Sequence, residues 1–254
     1  MQPEPNPTVF DWIRAGRKPG DRRTHDRESF LFQLVPPVFE SYAKILHRIE
    51  AKYDNIDHPL SPSEIALLNI PPCEPLKSFV RTRRDSSPGN RIKWQDLAEL
   101  LQVPFAPEIC HAWYRKKLDE TWCWPHLLSG PGEGGLDGEG CAELASTLEL
   151  FANGEECFFR FSDIPFINSV EPKLFKGALN EVCGFLKGKY FGFEYWWPPD
   201  RSWCVCSDYD LHFSFVGGSR KLVSALLASR VLECIEVTPE TRVDVFAPMP
   251  PNPV

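Results

Sequence analysis

Cys204, Cys206, Asp208, Asp210 and His212 alternate along the chain. On one continuous strand they would project to a single face, and thiolates beside imidazole and carboxylate are zinc-type ligands. Two features weigh against a metal. Asp208-Tyr209-Asp210 has the composition of a turn, and a tetrahedral site draws ligands from more than one strand. The simpler account has thiols filling a core and aspartates capping a turn, so no metal ligand is assigned. A thiol nucleophile could come from Cys110, Cys123 or Cys204 with His111, His126 or His212 as base. Such a pair needs thiolate and base within hydrogen-bond reach. Adjacent residues such as Cys110-His111 point apart on a helix, and nothing in the spacing joins the others. Gly130-Pro131-Gly132-Glu133-Gly134-Gly135 matches a dinucleotide fingerprint in letters only. The strand that should precede it is missing, and Glu133 would repel a pyrophosphate. It reads as a flexible glycine-rich loop. No phosphate-binding loop, zincin or nucleophile-elbow motif occurs. No catalytic residue and no cofactor are therefore expected.

The densest chemistry lies in Trp196-Trp197-Pro198-Pro199-Asp200-Arg201-Ser202-Trp203. Prolines stiffen the corner, and Asp200 and Arg201 can be fixed by ion pairs or backbone bonds. The three indoles either seal a structural corner over a sheet edge or line a binding surface; rigid tryptophans beside an arginine are what interface hot spots are made of. The binding residues expected are Trp196, Trp197, Asp200, Arg201 and Trp203, with Asp208 and Asp210 beside them. The expectation is an outward-facing surface on a sheet, with no reaction centre behind it.

The elements that must position these residues follow from pattern. Residues 1–27 read as a flexible arm around the apolar knot Phe10, Trp12 and Ile13. The run 30–35, stopped by Pro36-Pro37, reads as a strand. Residues 38–49 fit helix or strand, and 54–91, with six prolines and a basic stretch, read as an irregular insertion. Helices are expected over 94–101, over 107–119 with Pro107 at its first position, over 141–151, and over 172–186, where Leu174, Ala178, Val182 and Phe185 stack. Strands are expected over 157–161, 203–207, 211–216 and 232–237, with Ser219 capping a helix. Gly217-Gly218 are expected to break the strand before it. Elements are interspersed without a βαβ rhythm. This gives an α+β fold with a mainly antiparallel sheet, as one large domain or two packed halves (28–160 and 161–247) and a loose tail, 248–254.

Composition bounds the function. Hydrophobic residues make up 43% and aromatics 13%, ample for a sizeable core. The net charge of −7 disfavours a phosphate-tracking surface, so nucleic acid is an unlikely partner and a basic protein an easier one. Lys77, Arg81, Arg83, Arg84, Arg91 and Lys93 form a basic stretch, read as a solvated loop. No run approaches a membrane helix, and the start shows no apolar leader. Nine cysteines, odd in number and partly within apolar runs, suit a reducing cytoplasm.

One resemblance adds to this. Trp196-Trp197-Pro198-x-Asp200-Arg201-x-Trp203-Cys204-Val205, Asp210, Val216-Gly217-Gly218-Ser219, Leu222 and Leu232-Glu233 resemble the C-terminal block of a family of uncharacterised, mainly actinobacterial proteins. Pro37-x-Phe39-x-x-Tyr42-Ala43-x-Ile45-Leu46-His47 and Trp94-x-x-Leu97-Ala98 are similar in outline. The chain departs from that pattern at Cys206, after His47 and over 54–91. The resemblance implies a shared fold unit and no activity. The functional expectation is a non-enzymatic cytosolic protein-binding module, of the kind by which immunity proteins neutralise a basic toxin or effector. The alternative is an enzyme or small-ligand binder with a pocket beneath the corner at 196–212. Oligomeric state is left open.

Overall fold

The computed structural model describes residues 1–18, 28–51, 91–119, 128–161, 173–189 and 192–250. The chain is α+β, built on an eight-stranded sheet that helices cover on both faces. Its strands are β1 (Gln2–Pro3), β2 (Ser41–Leu46), β6 (Cys157–Arg160), β7 (Leu174–Gly177), β8 (Tyr195–Trp197), β9 (Cys204–Cys206), β10 (Phe213–Gly218) and β11 (Glu233–Val237). They run in the order β1-β7-β6-β8-β9-β10-β2-β11, and every described pairing is antiparallel. A second sheet joins β3 (Ile49–Ala51), β4 (Arg91–Ile92) and β5 (Leu128–Ser129) in the order β4-β3-β5. β2, from early in the chain, lies between β10 and β11, so strands from both halves of the sequence share one sheet.

Burial on both faces explains why the central strands read as apolar runs rather than strict alternation. One face packs against α4 (Gly138–Glu149), α5 (Val182–Leu186) and α6 (Arg220–Leu227), through Leu144, Leu148, Val182, Leu222 and Leu226. The other packs against α2 (Trp94–Leu101), α3 (His111–Asp119) and the N-terminal segment, through Leu97, Trp113, Phe10 and Ile13. Helix α2 occupies the span its periodicity predicts, and Ser219 caps α6 by accepting from Leu222 N at 3.2 Å.

Several expectations are corrected. Residues 1–18 are not a loose arm. β1 pairs with β7, and the knot Phe10 and Ile13 is buried in the core on a 3-10 turn and α1 (Asp11–Gly16). Residues 19–27 of the expected arm lie outside the described residues. The run 30–35 is a 3-10 turn over Leu31–Gln33, not a strand. Phe30 N donates to its own turn's Gln33 Oε1 at 2.9 Å, and Leu31 and Val35 both point into the core as turn geometry allows. The stretch 38–49, open between two readings, contains the strand β2. The expected helix 172–186 is divided: β7, a 3-10 turn over Leu179–Glu181, then α5. Leu174 and Phe175 face opposite cores, a demand only a strand meets, and Gly177 lies so close to Glu181 and Met1 that a Cβ there would clash. Helix α3 begins at His111 rather than at Pro107. Gly217-Gly218 do not break their strand but complete β10, because Phe39 lies on it: a Cβ on Gly217 would sit 2.3 Å from Phe39 Cδ2. Part of the tail is also packed, with Met249 on the core, while residues 251–254 lie outside the described residues. The insertion lies outside the described residues up to 90, and with it most of the basic stretch.

Candidate functional site

The expected binding residues fall on the β8–β9 hairpin and on the turn that follows β9. The structure places them at opposite ends of β9.

At one end is the hairpin tip, 198–203. Arg201 N donates to Pro198 O at 3.0 Å, and Ser202 N to Asp200 Oδ1 at 2.9 Å. Asp200, Arg201 and Ser202 are exposed. Arg201 sits at φ 58, in the left-handed region that glycine fills at least cost. Its guanidinium lies 5.7 Å from the centre of the Trp12 ring, which meets Phe39 edge-on at 6.4 Å. The tryptophans are not part of this surface. Trp196 is 4% exposed, Trp197 1% and Trp203 1%. The expectation that they face outward is overturned, because strand alternation drives them into two filled cores. Trp197 packs on Phe10 and Phe158, with centroids at 5.7 and 5.6 Å. Trp196 packs on Phe159 and donates to Phe193 O at 3.4 Å; Trp203 donates to Phe151 O at 3.3 Å.

At the other end, Asp208, Tyr209 and Asp210 form the expected turn, with Asp210 N donating to Asp208 Oδ1 at 3.0 Å. Burial raises the Asp208 carboxyl, while the Asp210 backbone amide opposes the rise. Asp210 is exposed. Cys204 and Cys206 keep their common face, both buried against the N-terminal segment's core, and burial pushes both thiols up. The turn at Asp208 ends the alternating row, so it does not continue to His212. Among the described residues no group of three or more His, Cys, Asp or Glu could hold a metal ion.

Beside this turn lies a polar network that periodicity did not reveal. His47 Nδ1 is 2.6 Å from Gly132 O, and its Nε2 is 2.8 Å from Ser214 Oγ, which is 2.6 Å from Ser207 Oγ. A carbonyl can only accept, so the Nδ1 proton faces Gly132, and in a neutral ring Nε2 accepts from Ser214. Ser214 then accepts from Ser207. A serine bonded to an anchored histidine is the arrangement that activates a nucleophile, yet Ser214 and His47 are sealed from solvent. The network can stiffen the sheet but cannot meet a substrate where it stands. The rings of His111 and His212 meet at a tilt of 35° with centroids 3.9 Å apart, and His212 Nε2 lies 3.6 Å from Glu133 Oε1. Burial, then Arg115 and Lys44, pull His111 down to about 3. Lys44 is buried with Nζ donating to Ile109 O at 2.5 Å and Pro107 O at 3.1 Å, 3.9 Å above the Phe213 ring. Burial lowers it to about 7.

The glycine-rich loop clamps this end rather than moving freely. Gly132 meets His47, Gly134 N donates to Leu211 O at 3.1 Å, and Gly192 N to Gly134 O at 3.1 Å. Gly134 at φ 70 and the close approach of Gly135 to Gly192 require glycine there. Of these residues sequence reasoning had weighed Gly132, His111 and His212 in other roles and had missed Lys44, Ser207 and Ser214. A polar residue flanked on both sides by apolar ones, as Lys44 and Ser214 are, is the available signal.

No family model, curated protein or solved structure matches this chain. Function therefore rests on the two ends of β9 alone. No helix among the described residues is long and apolar enough to cross a membrane.

Proposed function

We propose that the protein is a non-enzymatic protein-binding module that meets its partner through the tip Asp200-Arg201-Ser202. One observation carries the reading: an exposed, non-glycine residue is held at φ 58 on a hairpin whose base is locked by three buried indoles. Backbone strain of this kind costs about 1–3 kcal/mol and concentrates where binding or catalysis uses it. A rigid base lowers the ordering cost of docking, and an arginine that is already oriented suits a carboxylate or a backbone carbonyl on the partner. The net charge of −7 favours a basic protein over nucleic acid, and neutralisation of a toxin or effector in the cytoplasm remains the specific form of the proposal. The resemblance of the C-terminal block to uncharacterised bacterial proteins belongs to the same proposal and adds no activity to it.

The test is site-specific photo-crosslinking in native host cells. A crosslinker at position 202, with Arg201 intact, is expected to capture one discrete protein, and the same group at position 210, on the far turn, is expected to capture none. Equal capture at both positions, or none at 202, sinks the reading.

A further inference from the structure

On the sheet face covered by α4, α5 and α6, α4 and α5 bring two thiols together. Cys141 stands in the first turn of α4 and Cys183 in α5, 42 positions apart, with their Sγ atoms 3.4 Å from each other. We propose that Cys141 and Cys183 form a reversible dithiol–disulfide couple, a modification site for small disulfides of the glutathione type.

Three features set this pair apart. The sulfurs need to close by only about 1.4 Å to reach disulfide length, within reach of side-chain rotation between two short helices. Cys141 is buried while Cys183 is half-buried, and the neighbouring Gly184 faces open space, with nothing within 4 Å of where its Cβ would be. An oxidant can therefore reach Cys183 first. The pair is also polarised. The hydrogen bond between the two sulfurs pulls the Cys183 thiol down, whereas burial or the facing sulfur raises the other six described cysteines. Thiolate and resolving thiol are thus assigned by position.

The chemistry balances in two exchanges. The Cys183 thiolate attacks one sulfur of the small disulfide, forms a mixed disulfide and expels one thiolate. Cys141, after passing its proton to that thiolate, attacks the Cys183 sulfur and expels the second. Two protein thiols are oxidised, and one small disulfide is reduced to two thiols. The bond ties α4 to α5 and closes the chain between them.

The full-length protein is equilibrated in mixtures of reduced and oxidised glutathione, blocked with an alkylating agent, and mapped by non-reducing peptide mass spectrometry. The expected result is a single Cys141–Cys183 cross-link, lighter by two hydrogens, formed without denaturant and reversed by reduced glutathione. Cys141→Ala is expected to trap the glutathione adduct on Cys183 and to slow alkylation of Cys183 at pH 7 by about tenfold. Cys141→Ser serves if the alanine variant does not fold, and is likewise expected to trap the adduct. A wild-type pair that stays reduced in the most oxidising mixture overturns the proposal. So does a wild-type adduct on Cys183 that never resolves, or cross-linking that involves the other cysteines equally.

Discussion

The two ends of β9 were expected to work as one surface, and they differ in almost every physical respect. The tip end is exposed, short of apolar contact and strained at one residue, Arg201. The histidine end pairs an exposed turn, Tyr209 and Asp210, with a sealed network dense in hydrogen bonds, where burial suppresses charge at Lys44 and His111. The difference teaches where to look for function. Perturbed ionisable groups often mark reaction centres, but here burial causes the shifts and no solvent reaches the serine–histidine pair. Arg201 shares its exposed left-handed backbone with Gln102 and Asn153, but it alone of the three stands on a hairpin whose base is locked by buried indoles.

Removing the base should have the largest effect. Trp197→Ala is expected to destabilise the fold by about 3–5 kcal/mol in urea unfolding. The cost falls on stability and not on the tip's own contacts, so a near-neutral result would mean that the ring is not the packed base described. Breaking the sealed network comes next. Ser214→Ala leaves His47 Nε2 without its donor and should cost about 1–3 kcal/mol. A neutral outcome would make the network incidental to the histidine end.

The buried lysine sharpens the comparison through pH. Its folded value, about 7, lies below its unfolded value of 10.5, so the unfolded chain binds the proton more tightly between them. Lys44 therefore destabilises the fold fully below pH 7, and this cost is relieved as pH rises from about 7 to 10.5. The stability difference between wild type and Lys44→Met should change by up to about 1.4 kcal/mol per pH unit within that window and be flat at pH 5–6. A difference that does not vary with pH would show that Lys44 is not held as described. The smallest effect belongs to the tip. Arg201→Gly relieves the left-handed backbone and should leave stability within about 1 kcal/mol of wild type, on the stabilising side, while abolishing capture of the partner. Retained capture would show that the strain has no role in binding.

Some of this was legible early. Helix α2 follows from Trp94, Leu97 and Leu101 at helical spacing, and α6 from the Ser219 cap and Leu222, Val223 and Leu226. The turn at Asp208–Asp210 was read from its acids. The segment 172–186 was misread because Leu174, Ala178, Val182 and Phe185 satisfy a helical period, whereas Leu174 and Phe175 had to serve opposite cores. Tryptophan-rich composition suits hot spots and cores equally; only the packing of Phe10, Phe158 and Phe159 against the rings decides between the two.

Local chemistry was enough to determine the α+β class, the Ser219 cap and the proline-stiffened corner, since each depends on residues within a few positions of one another. Tertiary structure alone decided the strand order, the burial of the indoles, the separation of Asp200–Arg201 from Asp208–Asp210, and the meeting of His47 with Ser214 and of Cys141 with Cys183. These contacts join residues dozens to more than a hundred positions apart, and nothing in the spacing of a chain encodes which distant segments a two-faced sheet will bring together.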